Sequence, residues 1–193
     1  MTEKKPSMTL PRWELESIFP GIGSDPFNQA FEALGGYTDS LMGYMDQNGI
    51  DKHDLGPGNP PEVAPILRSL MEQMETIWRL NSTLGSYLYG FISTDSFDMQ
   101  AMKKNSELEL LGVRIKEIRI RFWGWLASSF QDLQALERTW ELEPYLVQHD
   151  FFLKETFEQA RYQMSMLEET LTSELALSGA NAWSRLQGTV TSQ

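Results

Sequence analysis

Any chemistry done by this chain has few side chains to draw on. It holds two histidines, His53 and His149, and no cysteine. Without a thiol there can be no disulfide framework, no thiolate metal site and no sulfur nucleophile. Neither histidine lies in H-E-x-x-H, the spacing that puts two imidazoles on one helical face with a glutamate base between them. Neither forms an E-x-x-H pair, which a di-iron carboxylate bundle needs twice. His53 stands in a loop between Asp51 and Asp54 and is expected in solvent, while His149 precedes a helix and is expected to cap or pack it. No serine sits in a G-x-S-x-G elbow. Gly21-Ile22-Gly23 lacks the preceding strand and the further glycine of a phosphate-binding turn. Glu141/Glu143 and Glu168/Glu169 have no EF-hand spacing and read as solvated faces. The residues assign no catalytic, cofactor-binding or metal-ligating group.

Two positive features remain. A cationic strip, Lys103, Lys104, Arg114, Lys116, Arg119 and Arg121, runs through an otherwise acidic chain. It either pairs with acids on neighbouring helices or meets an acidic partner or a peptide carboxylate. The second feature is aromatic load, including Trp78, Trp123, Trp125, Trp140 and Trp183 and the Phe151-Phe152 pair. Most of it should be core, but Ile120, Trp123 and Trp125 cover more of one helix than a single neighbouring layer needs. A helix apolar nearly all round is buried on both sides or awaits a partner.

The elements that carry these residues are helical. Residues 1–24 read as a polar tail and an irregular arm, in which Trp13, Leu15, Ile18 and Phe19 should lie across another element. Ser24-Asp25-Pro26 starts a helix, with Asp25 as cap and Pro26 at the first helical position. Gly35-Gly36 is expected to kink or stop it, and Asn48-Gly49 to end it. After the Gly56-Pro57-Gly58 loop, Asn59 and Glu62 are spaced as a capping box. Val63, Ile66, Leu67, Leu70, Met74 and Ile77 then open a long amphipathic helix running to Phe91. Thr94-Asp95-Ser96 turns the chain back. The next segment, to about Ser129, partly alternates, yet Leu108, Leu111, Ile115, Ile118, Phe122 and Trp125 keep one helical face and no second strand exists to pair with. Shorter helices follow: about 132–140, 150–162, one opened by a capping box at Ser165 and broken at Ser178-Gly179, and a last one over 180–190.

With 193 residues, 41% hydrophobic, the chain can bury a core without metal or disulfide. A net charge of -11 opposes general binding to phosphate backbones or anionic lipid, so neither nucleic acid nor membrane is expected as partner. The N-terminus has no apolar core of a signal peptide and no stretch is long and apolar enough to span a bilayer. A cytoplasmic location is expected.

His149-Asp150-Phe151-Phe152-Leu153, Ala160-Arg161-Tyr162 and Ser178 through Leu186 resemble the region before the catalytic domain in oligoendopeptidase F-type zinc peptidases, which are related to thimet oligopeptidase. Arg12-Trp13-Glu14-Leu15 to Pro20 is similar to the start of the same family. The resemblance implies an all-α fold of antiparallel long-helix hairpins and shorter C-terminal helices, divided as a tail and arm over 1–24 and a helical domain over 25–193. It implies a cytosolic zinc metalloendopeptidase acting on short peptides inside a channel between two lobes. The H-E-x-x-H motif belongs to a catalytic domain expected to follow this chain, so no zinc ligand is carried over. The chain alone is then no enzyme and holds no cofactor. Its partners are the catalytic domain, in cis or as a separate chain, and short peptides. Phe151, Phe152 and Trp183 are the expected lobe-docking residues. The alternative is a free-standing helical interaction protein that binds a partner helix through its apolar and cationic face.

Overall fold

The computed structural model describes residues 14–51, 58–160, 162, 164 and 166–191. Trp13, His53, Gly56-Pro57 and Ser165, each given a role above, lie outside the described residues. Eight helices occur among the described ones: α1 Asp25–Gln47, α2 Pro60–Thr94, α3 Met99–Ser129, α4 Leu133–Trp140, α5 Pro144–Val147, α6 Asp150–Ala160, α7 Met166–Ser178 and α8 Ala180–Thr191. No described residue is in a strand.

Local chemistry sets most helix ends. The N-cap of α1 is Ser24 rather than Asp25, with the proline inside the first turn. The helix runs through Gly35-Gly36 without the expected break. Neither glycine would meet a neighbour if it carried a Cβ, so the only penalty is their own backbone freedom. Phe27, Leu34, Thr38, Leu41 and Met45, buried on both sides of the pair, outweigh it. At the other end Gly49 takes φ +60, Ile50 N–H donates to Met45 O at 2.8 Å, and Gly49 N–H donates to Asp46 O. This is a Schellman stop, and it drives Ile50 into the core.

Asn59 is the N-cap of α2 as expected, but its side chain donates to Glu62 Oε1 at 3.1 Å and makes no cap bond to the backbone. Between α2 and α3, Asp95 accepts from the Phe97 amide, and Asp98 then caps α3 through the amides of Gln100 and Ala101. The ambiguous segment is therefore helix throughout. Asp132 caps α4 in the same way.

Ion pairs and one backbone bond fix the topology. Gly58 N–H, ahead of α2, donates to Ser129 O at the end of α3, so these helices are antiparallel. Arg114 and Arg121 on α3 reach Asp39 and Asp46 on α1. The equal sequence offset of these two pairs means that α1 and α3 run parallel. The core is thus up, down, up, with α4 laid on α2 and α6 on α3 and α4. The arm docks through Phe19, which packs edge-on against Phe27 and Tyr87 and gives its carbonyl to the Tyr87 hydroxyl at 3.1 Å. Leu15 lies against Gly90, and Ile18 stays exposed.

Arg121 is the one cation of the strip that is buried, at 8% exposure, and it also donates to the carbonyl of Ile50 at 3.2 Å. Arg121→Met leaves that carbonyl without its donor and should cost about 1–3 kcal/mol in urea unfolding. Arg114→Met removes a half-exposed pair and should cost less than about 1 kcal/mol. Equal costs would contradict this account of the α1–α3 contact.

Candidate docking surface

Sequence left the cationic strip with two readings, and the geometry separates them. Arg114 and Arg121 bind α1, Lys104 pairs with Glu107 and stands over the Phe31 ring, and Arg119 lies over the Trp123 ring. Four of its six cations are held by the chain's own residues. The broad apolar face of α3 is used internally as well. Ile120, Phe122 and Trp125 are buried and Trp123 packs on the core, because α3 meets α1, α2, α6 and α7 at once.

Among the described residues no three His, Cys, Asp or Glu side chains come together to hold a metal. Zinc, implied by the resemblance, therefore finds no ligand set in the described part. His149 packs on the Tyr145 ring with centroids 4.6 Å apart, and its carbonyl accepts the Leu153 amide at the start of α6. Tyr145 donates to Glu75 Oε2 at 3.0 Å. Burial first, and then that carboxylate, push its phenol up to about 12. A tyrosine held protonated in this way braces α5 against α2 and is a poor base or nucleophile.

Beneath α8 lies a cleft of about 690 Å³, with Tyr89, Ile92, Asn105, Glu109, Ser184 and Arg185 in its walls. Its charges answer one another, since Glu109 accepts from both Asn105 and Arg185.

The unusual surface is on the other side of the last helices. The residues of α7 turned toward the protein are Thr170, Ser173, Ala176 and Leu177, whereas Leu167, Leu171 and Leu175 point outward, Leu167 at 80% exposure. In α8 the cleft side carries Asn181, Ser184, Arg185 and Gly188, while Trp183, Leu186 and Val190 are exposed. No residue of α8 is buried. The expected break at Ser178-Gly179 separates α7 from α8, and two hydrogen bonds span it, Gly179 N–H donating to Leu175 O and Trp183 N–H to Gly179 O. Leu167, Leu171, Leu175, Trp183, Leu186 and Val190 thus lie on the side away from the protein's own core, three or four residues apart except across Gly179. An amphipathic helix in a free monomer normally faces the other way.

The three expected docking residues divide. Phe151 and Trp183 stand out at 74% and 71% exposure, but Phe152 turns in on Trp78 at 5.9 Å between ring centroids. From sequence, Leu167, Leu171, Leu175, Leu186 and Val190 are not among the expected docking residues. Their spacing was visible there and the direction they face was not.

The fold and this surface define an all-α region that presents an outward apolar face on its C-terminal helices. Residues 132–193, from the cap of α4 onward, match the family model of the peptidase M3 N-terminal region described as oligopeptidase F, which bears out the resemblance to an oligoendopeptidase F-type N-terminal domain. No curated protein and no solved structure matches the chain.

Phe152→Ala should cost about 1–3 kcal/mol, since it empties a partly buried contact. Phe151→Ser and Trp183→Ser should each stay within about 0.5 kcal/mol of the parent chain in urea unfolding, and a large loss from either would show that it packs internally. Tyr145 adds a pH signature. An unfolded tyrosine ionises near about 10, so the unfolded chain loses this proton first. The contribution is complete below about pH 10 and is lost as pH rises toward the folded value of about 12. Tyr145→Phe should flatten the alkaline fall of the urea midpoint over that window. An unaltered alkaline profile would count against the Glu75 contact.

Proposed function

We propose that this chain is the N-terminal, non-catalytic region of a cytoplasmic zinc-dependent oligoendopeptidase. In this reading 1–24 is a polar tail and N-terminal arm and 25–193 the helical domain. The domain helps enclose the channel in which short peptides are hydrolysed by a catalytic domain lying outside these 193 residues. One observation carries the reading: the stretch that matches the oligopeptidase F model contains α7 and α8, the helices whose apolar sides face outward. A second lobe seated on α7 and α8 would remove that surface from water, at roughly 25 cal/mol per Å² of apolar area covered. A wall of long helices beside it would keep folded proteins from the peptide site by size alone. The alternative of a free-standing adaptor rested on an apolar and cationic face of α3, most of which is engaged within the fold.

The test is complementation with an H-E-x-x-H catalytic domain of the oligoendopeptidase F type. The chain alone should take up no stoichiometric zinc and leave a quenched fluorescent peptide uncut. Co-expressed, the two should purify together, and cleavage should rise at least about tenfold over the catalytic domain alone, the effect of about 1.4 kcal/mol on the barrier. Hydrolysis by the chain alone with bound zinc, or failure of the two parts to associate, would overturn the reading.

A further inference from the structure

We infer that α8 is a lid over the cleft, hinged at Ser178-Gly179 and latched by the ion pair between Arg185 and Glu109. The inference rests on the fold and not on the peptidase reading. The last two helices are anchored unequally. Helix α7 packs along α3, with Thr170, Ser173, Ala176 and Leu177 half-buried, whereas α8 packs chiefly on α7 and buries no residue. The hydrophobic effect therefore holds α8 only weakly, and polar bonds weigh heavily in where it rests. One such bond crosses the cleft. Asn105 on α3 donates to Oε1 of Glu109 at 3.0 Å and fixes that carboxylate, which leaves Oε2 to accept from Arg185 on the cleft side of α8.

The exposure of this pair suits a latch. The Arg185 side chain is 44% exposed and that of Glu109 24%, so water can replace the bond and salt can screen it. A fully buried pair would resist release, because each partner would be left as an uncompensated charge. The underside of α8 is matched to release as well. It turns Asn181, Ser184, Arg185 and Gly188 to the cleft, so lifting the helix bares no apolar core of its own. At the hinge, a Cβ on Gly179 would stand 3.0 Å from the carbonyl oxygen of Leu175, so a larger residue there forces the backbone to shift. Gly179 N–H donates to that same oxygen at 2.9 Å, which closes the end of α7, and the freedom of the glycine backbone lets α8 swing about it. The cleft of about 690 Å³ has the size of a small-molecule site, so the position of α8 sets how much of a molecule-sized space is open to solvent.

The test exploits the absence of cysteine from the chain, since a single one introduced in the cleft wall then reports on the lid. Ile92→Cys, at a half-buried position in that wall, should react with an uncharged maleimide at a rate set by how often α8 lifts. Adding Arg185→Gln should raise that rate about two- to fivefold, the span expected for a partly exposed ion pair. With the pair intact, a similar rise should follow from about 0.1 M to about 1 M salt, over which the screening length drops from about 10 Å to 3 Å. The Arg185→Gln chain should respond little to salt. The exchanged pair Glu109→Arg/Arg185→Glu should return the rate toward its starting value, which a merely loosened fold would not do. Ser40→Cys, exposed on α1, should react alike in every background. Equal rates at Ile92→Cys with and without Arg185, or an exchanged pair as fast as Arg185→Gln, would overturn the latch. Acceleration at Ser40→Cys together with Ile92→Cys would also overturn it, because it would mark general unfolding instead of a moving lid. Failure of a catalytic domain to associate would leave these rates unchanged, and unlatched rates would leave that association unchanged, so the two readings fail separately.

Discussion

The burial of α2 is the constraint on which the other elements depend. Leu67, Leu70, Met74, Ile77, Leu84, Tyr87 and Leu88 lie along it fully or almost fully buried, and no single neighbour could cover them. Helix α1 takes one flank, α3 another and α4 a third, so three short-range connections are bent to the needs of one long helix. Each fully buried leucine or isoleucine contributes roughly 1.5–3 kcal/mol relative to exposure, which makes this contact set the main source of fold stability. Polar devices then choose among arrangements of similar burial. Gly58 to Ser129 sets α3 against α2, and the two arginine pairs set the register of α1 on α3.

Once α1, α4 and α6 have covered the core, α7 turns mostly small and polar residues toward the protein, Thr170, Ser173 and Ala176 with Leu177. Leu167, Leu171 and Leu175, and after them Trp183, Leu186 and Val190, are left facing water. Arginines meanwhile stitch the inner helices together, Arg114 and Arg121 of α3 pairing with Asp39 and Asp46 of α1.

Much of this architecture could be read from the sequence because helical periodicity and end signals act locally. The long helix from Val63 to Phe91, the turn at Thr94-Asp95-Ser96 and the stop at Asn48-Gly49 each rest on residues within a few positions of one another. Gly35-Gly36 misleads because intrinsic propensity is weaker than the burial of Leu34 and Leu41 around it. Arg121 was visible as a cation but not as the partner of Ile50, since that needs the offset between two helices distant in sequence. The candidate surface was half legible for a related reason. A leucine every fourth residue announces a stripe, and only the packing of α3, α6 and α7 decides whether it faces core or water. Phe151-Phe152 shows both outcomes in adjacent residues.

The central claim is that α7 and α8 sit on the fold without belonging to its buried core, and residue-resolved hydrogen exchange of the isolated chain tests it most directly. Amides in the middle of α2 and α3 should exchange only through global unfolding. Those of α7 and α8 should exchange through local opening at least about a hundredfold faster, the ratio set by roughly 2.7 kcal/mol of missing burial. Protection in α7 and α8 equal to that of α2 would contradict the account, because it would require those helices to share the core that their exposed leucines and tryptophan leave them outside.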